Sequence, residues 1–255
     1  DPEGGFCMLT ITSRENPQIK QVCGLLSASR NRRAEGLFVC EGFTLLEEAL
    51  RSGCVPESVF CLDSQLSRLP ALSCPVRAVT EGVLRKLSDV PAPQGVVFTL
   101  PIPPRRETLS GQRFLALDRL RDPGNLGTIL RTADAFGLDG VILLGDCVDP
   151  YSPKVVRSAM GSLFRAKLFF FTPQQLRQQL TALSVPLYAA LLDPCSRKVT
   201  EGDLHCACAV VGNEAHGVSE ETASLCDGSV IIPIQSAESL NAGVAAGILM
   251  WEMRR

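Results

Sequence analysis

V-V-G-N-E-A-H-G-V at residues 210–218, followed by V-I-I-P-I-Q-S-A-E-S-L-N-A-G-V-A-A-G-I-L-M-W-E at 230–252, is the stretch that decides the fold. Each half has the same layout: a short apolar run, a break of Gly or small polar residues, then a helix-like segment. Val210-Val211 and residues 230–234 are β-branched runs short enough for buried parallel strands. The breaks that follow expose backbone amides and carbonyls where ligands of open α/β sheets sit. Residues 239–255 place Leu240, Val244, Gly247, Ile248 and Trp251 at helical spacing. The small residues between them, Ala242, Gly243, Ala245, Ala246 and Gly247, let another backbone approach closely, either a sheet or a twin helix across an interface.

Upstream, the same alternation runs back to residue 113. Strands are predicted at 114–117, 140–144, 166–171 and 186–191, and helices at 125–136, 154–161 and 174–183. Strands alternating with helices imply a mostly parallel sheet covered on both faces. Residues 101–111, P-I-P-P-R-R-E-T-L-S-G, are proline-rich, charged and aperiodic, as an interdomain linker should be. Before the linker lies a small alternating α/β domain over 8–100. Its helices are expected at 19–29, 43–51 and 81–87, and its strands at 36–40, 58–62, 76–79 and 95–100. The chain starts without methionine, and residues 1–7 read as an expression remnant or the edge of a processed protein.

Composition narrows the function classes. The 255 residues are 45% apolar and 20% charged, which is globular rather than disordered. The longest apolar runs fall short of the roughly 18 residues of a membrane span, and no secretory leader opens the chain. Eleven cysteines without a C-x-x-C, beside two histidines, argue against a zinc site and fit a reducing compartment. The expected setting is the cytoplasm, or a mitochondrial matrix after removal of a transit peptide. Net charge is −2, yet two acid-free basic stretches occur: residues 16–34 with Lys20, Arg30, Arg32 and Arg33, and residues 151–167 beginning with Lys154 and Arg157. They are usually solvated faces, but two in a near-neutral chain raise an RNA-phosphate reading.

Three βα junctions hold the polar residues of interest. The first, L-D-R-L-R-D-P-G-N-L-G-T-I-L-R-T-A-D-A-F-G at 117–137, puts Asn125 at a helix start, where its amide can cap exposed N–H groups, and Arg131 six residues on. The second is G-N-E-A-H-G at 212–217. The third, I-P-I-Q-S-A-E-S-L-N at 232–241, has Ser239 and Asn241 opening the last helix. Capping or a plain turn explains any one of them. No G-x-G-x-x-G follows the first strand of either domain, no phosphate-loop lysine motif occurs, and His216 lacks the context of a nucleophilic triad.

Together and in this order, the junctions resemble the three motifs of the SpoU/TrmH group of SPOUT methyltransferases over residues 113–255. S-R-E-N-P-Q-I-K at 13–20 and F-V-C-E-G-F-T-L-L-E-E-A-L at 38–50 resemble the ribosomal-protein-like RNA-binding domain that often precedes that catalytic domain. The resemblance implies an α/β fold, a parallel sheet with a C-terminal deep trefoil knot, which is a rare exception to unknotted chains. It also implies a homodimer whose active site draws on both subunits, and transfer of methyl from S-adenosylmethionine to a ribose 2′-hydroxyl in rRNA or tRNA without a metal. By position it assigns Arg131 and Asn125 to catalysis, with Glu214, Ser239 and Asn241 as polar motif residues. The cofactor would contact Leu191, Leu192, Gly212, Asn213, Gly217, Ile232, Ile234, Leu240 and Asn241. An inactive RNA-binding or ribosome-assembly factor and a base methyltransferase of the same fold are the alternatives.

Overall fold

The computed structural model describes residues 10–235 and 239–255. Residues 1–9 and 236–238 lie outside it, including the proposed remnant and the middle of the third junction. The chain separates into two compact units, residues 1–103 with 151–157, and residues 104–150 with 158–255. The short segment 151–157 thus groups with the first unit rather than with its sequence neighbours.

In the first unit, helices α1 (Pro17–Ser27), α2 (Ser29–Glu35), α3 (Phe43–Arg51) and α4 (Glu81–Leu87) accompany strands β1 (Leu37–Glu41), β2 (Ser58–Leu62), β3 (Val76–Val79) and β4 (Val96–Pro101). Asn16 caps α1 by accepting from Gln18 N–H, with Pro17 at the first helical position. Sequence periodicity missed α2, whose seven residues hold one apolar side chain, Ala34. Alternation of elements here does not mean an all-parallel sheet. The order is β1-β4-β2-β3, and β4 runs antiparallel to both neighbours while β2 and β3 are parallel. Ile19, Val22 and Leu25 of α1 pack with Val39, Phe60 and Val97 of the sheet.

The second unit contains β5 (Arg113–Asp118), α5 (Pro123–Phe136), β6 (Gly140–Leu144), α6 (Pro153–Ala159, which begins in the first unit), α7 (Ser162–Arg165) and β7 (Leu168–Phe171). It continues with α8 (Pro173–Leu183), β8 (Leu187–Ala190), β9 (Arg197–Lys198), β10 (Ala207–Val211), α9 (Glu220–Ala223), β11 (Gly228–Ile231) and α10 (Ala242–Arg254). Its seven strands are ordered β7-β6-β5-β10-β8-β11-β9, and every pairing is parallel. β10 is apolar along its length and β5 from Phe114 to Leu117, as strands covered on both faces must be. Phe114, Ile142, Phe169, Leu176, Leu187 and Val210 form the core.

Two boundaries differ from the sequence reading. The strand expected at 230–234 ends at Ile231, since Pro233 has no N–H for a ladder. The last helix starts at Ala242 rather than Ser239, because Asn241 accepts from Gly243 and Val244 N–H and fixes the first turn there.

The sheet order positions the site. Strands β5, β10, β8 and β11 are consecutive neighbours running the same way, so their C-terminal ends open on one edge. Residues 119–122, 212–217, 191–192 and 232–241 follow those ends. The order also reverses at β5 and β10, the switch point where open α/β sheets leave a crevice.

Candidate active site

Asp118 ends β5 and is buried. One carboxylate oxygen accepts from both Ser219 N–H and Ser219 Oγ, each at 2.7 Å, tying the start of the first junction to the end of the second. Asp122, rather than Asn125, caps α5, taking the Asn125 N–H at 2.7 Å with Pro123 at the first helical position. That corrects the capping role expected of Asn125. The D-P pair was the available signal, since an acid before Pro is a helix-start signature.

Freed from capping, the buried Asn125 amide joins two distant segments. Its Nδ2 donates to Glu214 Oε1 at 3.0 Å, and its Oδ1 accepts from Asn241 Nδ2 at 2.9 Å. Glu214 also accepts from Arg121 N–H at 3.2 Å and Asp122 N–H at 3.1 Å. Asn241 Oδ1 in turn takes Gly243 and Val244 N–H at the start of α10. One chain of hydrogen bonds thus closes all three junctions. Each amide orientation is set by its partners, because an ionised carboxylate can only accept.

In the second junction, Gly212 and Gly217 make a tight crossing. A Cβ on Gly212 would lie 2.0 Å from the Gly217 carbonyl carbon and 2.1 Å from Val218 N, so only glycine fits. Asn213 and Gly217 exchange backbone bonds of 3.0 and 2.8 Å, and Asn213 Oδ1 accepts from Ala215 and His216 N–H. Asn213 Nδ2 reaches Arg119 O at 2.8 Å.

These loops surround a cavity of about 500 Å³. Leu191, Leu192, Gly212, Asn213, Glu214, Gly217, Ile232, Ser239, Leu240 and Asn241 line it, all singled out from the sequence. Ala190, Val211, Ala215, Val230, Ala242 and Ala245 complete the wall; small side chains in strand ends and a helix give no sequence signal of a pocket. Ile234 does not line it. Neither does Arg131, which is exposed on α5. The lining is mostly apolar side chain and backbone with a few placed polar groups, and its size suits a ligand of nucleoside dimensions.

Residues 112–251 match the SpoU rRNA Methylase family, and residues 16–97 match the MRM3-like substrate binding domain. The chain belongs to the SpoU rRNA methylase family. Similar SpoU relatives span its length. A Synechocystis protein named as an uncharacterized tRNA/rRNA methyltransferase is 36% identical over 96% of this chain and 93% of its own. The Bacillus subtilis 23S rRNA (guanosine(2553)-2′-O)-methyltransferase is 30% identical over 97% of this chain and 100% of its own. The crystal structure of AdoMet-bound rRNA methyltransferase from Sinorhizobium meliloti superposes with a TM-score of 0.86 at 31% identity, covering 96% of this chain and 97% of that one.

The basic residues expected on RNA are distributed unevenly in this SpoU protein. Arg30 and Arg33 are exposed. Arg32 is 4% exposed and donates to the Leu25 and Leu26 carbonyls at the end of α1. It stabilises a helix end and is withdrawn from the RNA set. Lys20 pairs with Glu15 at 2.8 Å, Lys154 is exposed, and Arg157 pairs with Asp89. Among the described residues no His/Cys/Asp/Glu group is placed to hold a metal ion, and no helix is long and apolar enough to cross a membrane. The described cysteines are free thiols, and burial pushes Cys61 and Cys226 up to about 11, so neither is a ready nucleophile at neutral pH.

The hydrogen-bond chain gives the site an acid limit. Partial burial pushes the Glu214 carboxyl up, but the Asn125 amide and the backbone N–H groups outweigh it and leave the pKa below the ordinary 4.5. A lowered folded pKa contributes stability that is complete above about 4.5 and lost as pH falls through the lowered value. The amide protons of Arg121 and Asp122 are therefore expected to stay protected from hydrogen exchange at pH 5–7, after correction for the intrinsic rate, and to lose protection only below about 4.5. A protection midpoint above that value contradicts the role given to Glu214.

Proposed function

We propose that this protein is an S-adenosylmethionine-dependent methyltransferase acting on a ribose 2′-hydroxyl of ribosomal RNA. The observation that carries the reading is the Glu214–Asn125–Asn241 chain, which gathers three junctions around one cavity. The relatives' named activities point the same way. The residues present fit the cofactor: the close Gly212–Gly217 crossing, which only glycine permits, brings bare backbone to the cavity wall, with Leu191, Ile232 and Leu240 offering apolar contact.

When bound, S-adenosylmethionine supplies a methyl on a sulfonium, already activated for displacement. The protein's task is then largely positioning. Gly212, Ile232 and Leu240 hold the cofactor mainly through backbone. Asn125, Glu214 and Asn241 keep the three loops at fixed separation, and Ser239 adds a hydroxyl at the cavity wall. Arg131 holds a phosphate of the RNA and stabilises negative charge that develops on the attacking 2′ oxygen. Discrimination against DNA follows because the reacting group is the one DNA lacks.

The reading extends to assembly. The β5, β10, β8 and β11 loops support the deep trefoil knot expected of SPOUT proteins. Val244 and Trp251 of α10 are each 52% exposed, and the Trp251 ring packs tilted against Phe136 of α5, with centroids 5.8 Å apart. Two helices sharing an apolar face suit a homodimer, which sedimentation at micromolar concentration tests. The working compartment is one that contains ribosomes, the cytoplasm or a mitochondrial matrix.

Calorimetry is expected to give saturable binding of S-adenosylmethionine with a Kd near ~1 µM, or about −8 kcal/mol. Tritiated methyl should pass to in-vitro-transcribed large-subunit rRNA and survive alkaline hydrolysis as a resistant dinucleotide, since a 2′-O-methyl blocks cleavage at that linkage. Absence of cofactor binding defeats the reading; label recovered on a base shifts it to base methylation.

A further inference from the structure

A second cavity of about 650 Å³ adjoins the cofactor slot and shares Asn213, Glu214 and Ala215 with it. Its own wall includes Arg119, Arg121 and His216. In-line transfer requires the attacking oxygen within roughly 3–3.5 Å of the methyl carbon, so the acceptor nucleotide has to occupy space that opens onto the cofactor. This cavity has that shared wall and is large enough for a nucleotide.

Arg119 carries the most telling feature. Its φ is +56°, in the left-handed region that costs a side-chain-bearing residue free energy. The conformation is held from both sides: Arg119 N–H donates to Leu144 O at 3.1 Å, and Arg119 O accepts from Asn213 Nδ2 at 2.8 Å. Asn213 is the residue that organises the cofactor-side loop, so the same side chain fixes both cavities. A turn at this point would be cheaper with glycine, yet an arginine occupies it. Its Nε lies 3.3 Å from the buried Asp118, whose other oxygen is saturated by Ser219, and this anchors the guanidinium. Strained backbone that surrounding structure holds in place is concentrated where ligands bind.

Arg121, two residues on, pairs with Asp146 at 2.8 Å, with side chains 59% and 80% exposed. Such an exposed pair is worth only ~0–1 kcal/mol, so a phosphate can displace the aspartate readily. Two arginines spaced two residues apart on one loop, one anchored and one exchangeable, form a fork for a polyanion.

We propose that this cleft seats the target nucleotide, with Arg119 and Arg121 binding the RNA phosphodiesters that flank it. The assignment rests on the methyltransferase reading above and adds the place where the acceptor strand is held.

The test compares Arg119→Gln, Arg121→Gln and Asp146→Asn in the full chain. The probe is an unmodified large-subunit rRNA transcript, measured by filter binding at several salt concentrations, with S-adenosylmethionine calorimetry on every variant. Each arginine variant should weaken RNA binding about tenfold and reduce the log–log salt slope by roughly 0.7, the value for one phosphate of single-stranded RNA. Cofactor affinity should not change. Asp146→Asn should tighten RNA binding, because it releases Arg121. If Arg121 served only to pair with Asp146, both of these variants would act in the same direction, and that overturns the proposal. Wild-type RNA affinity and salt slope in both arginine variants also overturn it. A wild-type chain that binds no S-adenosylmethionine instead overturns the underlying methyltransferase reading, a result that calorimetry separates from the other two.

Discussion

Gly212→Ala is expected to lower S-adenosylmethionine affinity at least a hundredfold, about 2.7 kcal/mol. The new methyl would sit 2.0, 2.1 and 2.3 Å from the Gly217 carbonyl carbon, Val218 N and the Gly217 oxygen. All three are backbone, so no rotamer change relieves the overlap. The facing segment cannot retreat cheaply either, since Asn213 and Gly217 hold each other through two hydrogen bonds. Overpacking at such a site costs ~1–3 kcal/mol of stability and should also lower the melting temperature by a few degrees. Gly137→Ala, at the end of α5 and outside the cavity wall, is the control. Its φ is +65°, but nothing lies within 4 Å of its would-be Cβ, so it should cost ~1–2 kcal/mol in backbone strain and keep cofactor binding. Calorimetry and thermal melts of the two variants check this. A Gly212→Ala protein that binds the cofactor within threefold of the parent would remove the crossing from the cofactor site.

Arg131→Ala is expected to leave cofactor affinity within about twofold and to reduce methyl transfer by roughly 10²–10³, the loss typical of one group that stabilises developing negative charge. The separation follows from helix geometry. Asn125 and Arg131 lie six residues apart on α5, ~9 Å along the axis and on different faces, so Arg131 stands outside the hydrogen-bond chain that holds the loops. It is exposed and absent from the cavity wall, which suits a group that meets the RNA. Arg131→Lys should rescue only partly, because a lysine keeps the charge but loses the planar fork. Stopped-time transfer assays beside calorimetry distinguish the outcomes. Parallel loss of binding and transfer would show that Arg131 helps to hold the cofactor. Unchanged transfer would remove it from the chemistry.

Short-range chemistry made most of this protein legible. The alternating apolar runs gave most strands and helices of the second unit, though not the short α7 and β9, and proline, glycine and asparagine gave many of their ends. The three junction motifs, taken together, pointed to the SpoU group. That worked because periodicity, capping and turn formation act over a few residues and leave their marks locally. Where a mark was absent, as with the nearly apolar-free α2 or the antiparallel pairing of β4, the reading fell short.

Tertiary structure decided what the motif residues do. Asn125 meets Glu214 and Asn241 across separations of 89 and 116 residues, so nothing near it in sequence could reveal that it is a cross-link; the D-P pair signals only that the cap is Asp122. Arg32 looks like its basic neighbours until burial turns it toward helix carbonyls, and Arg119 shows its strained backbone only in the folded loop. The physical reason is the strand order β5-β10-β8-β11. Parallel neighbours remote in sequence deliver their C-terminal loops to one edge, and that pairing is set by how the whole sheet packs.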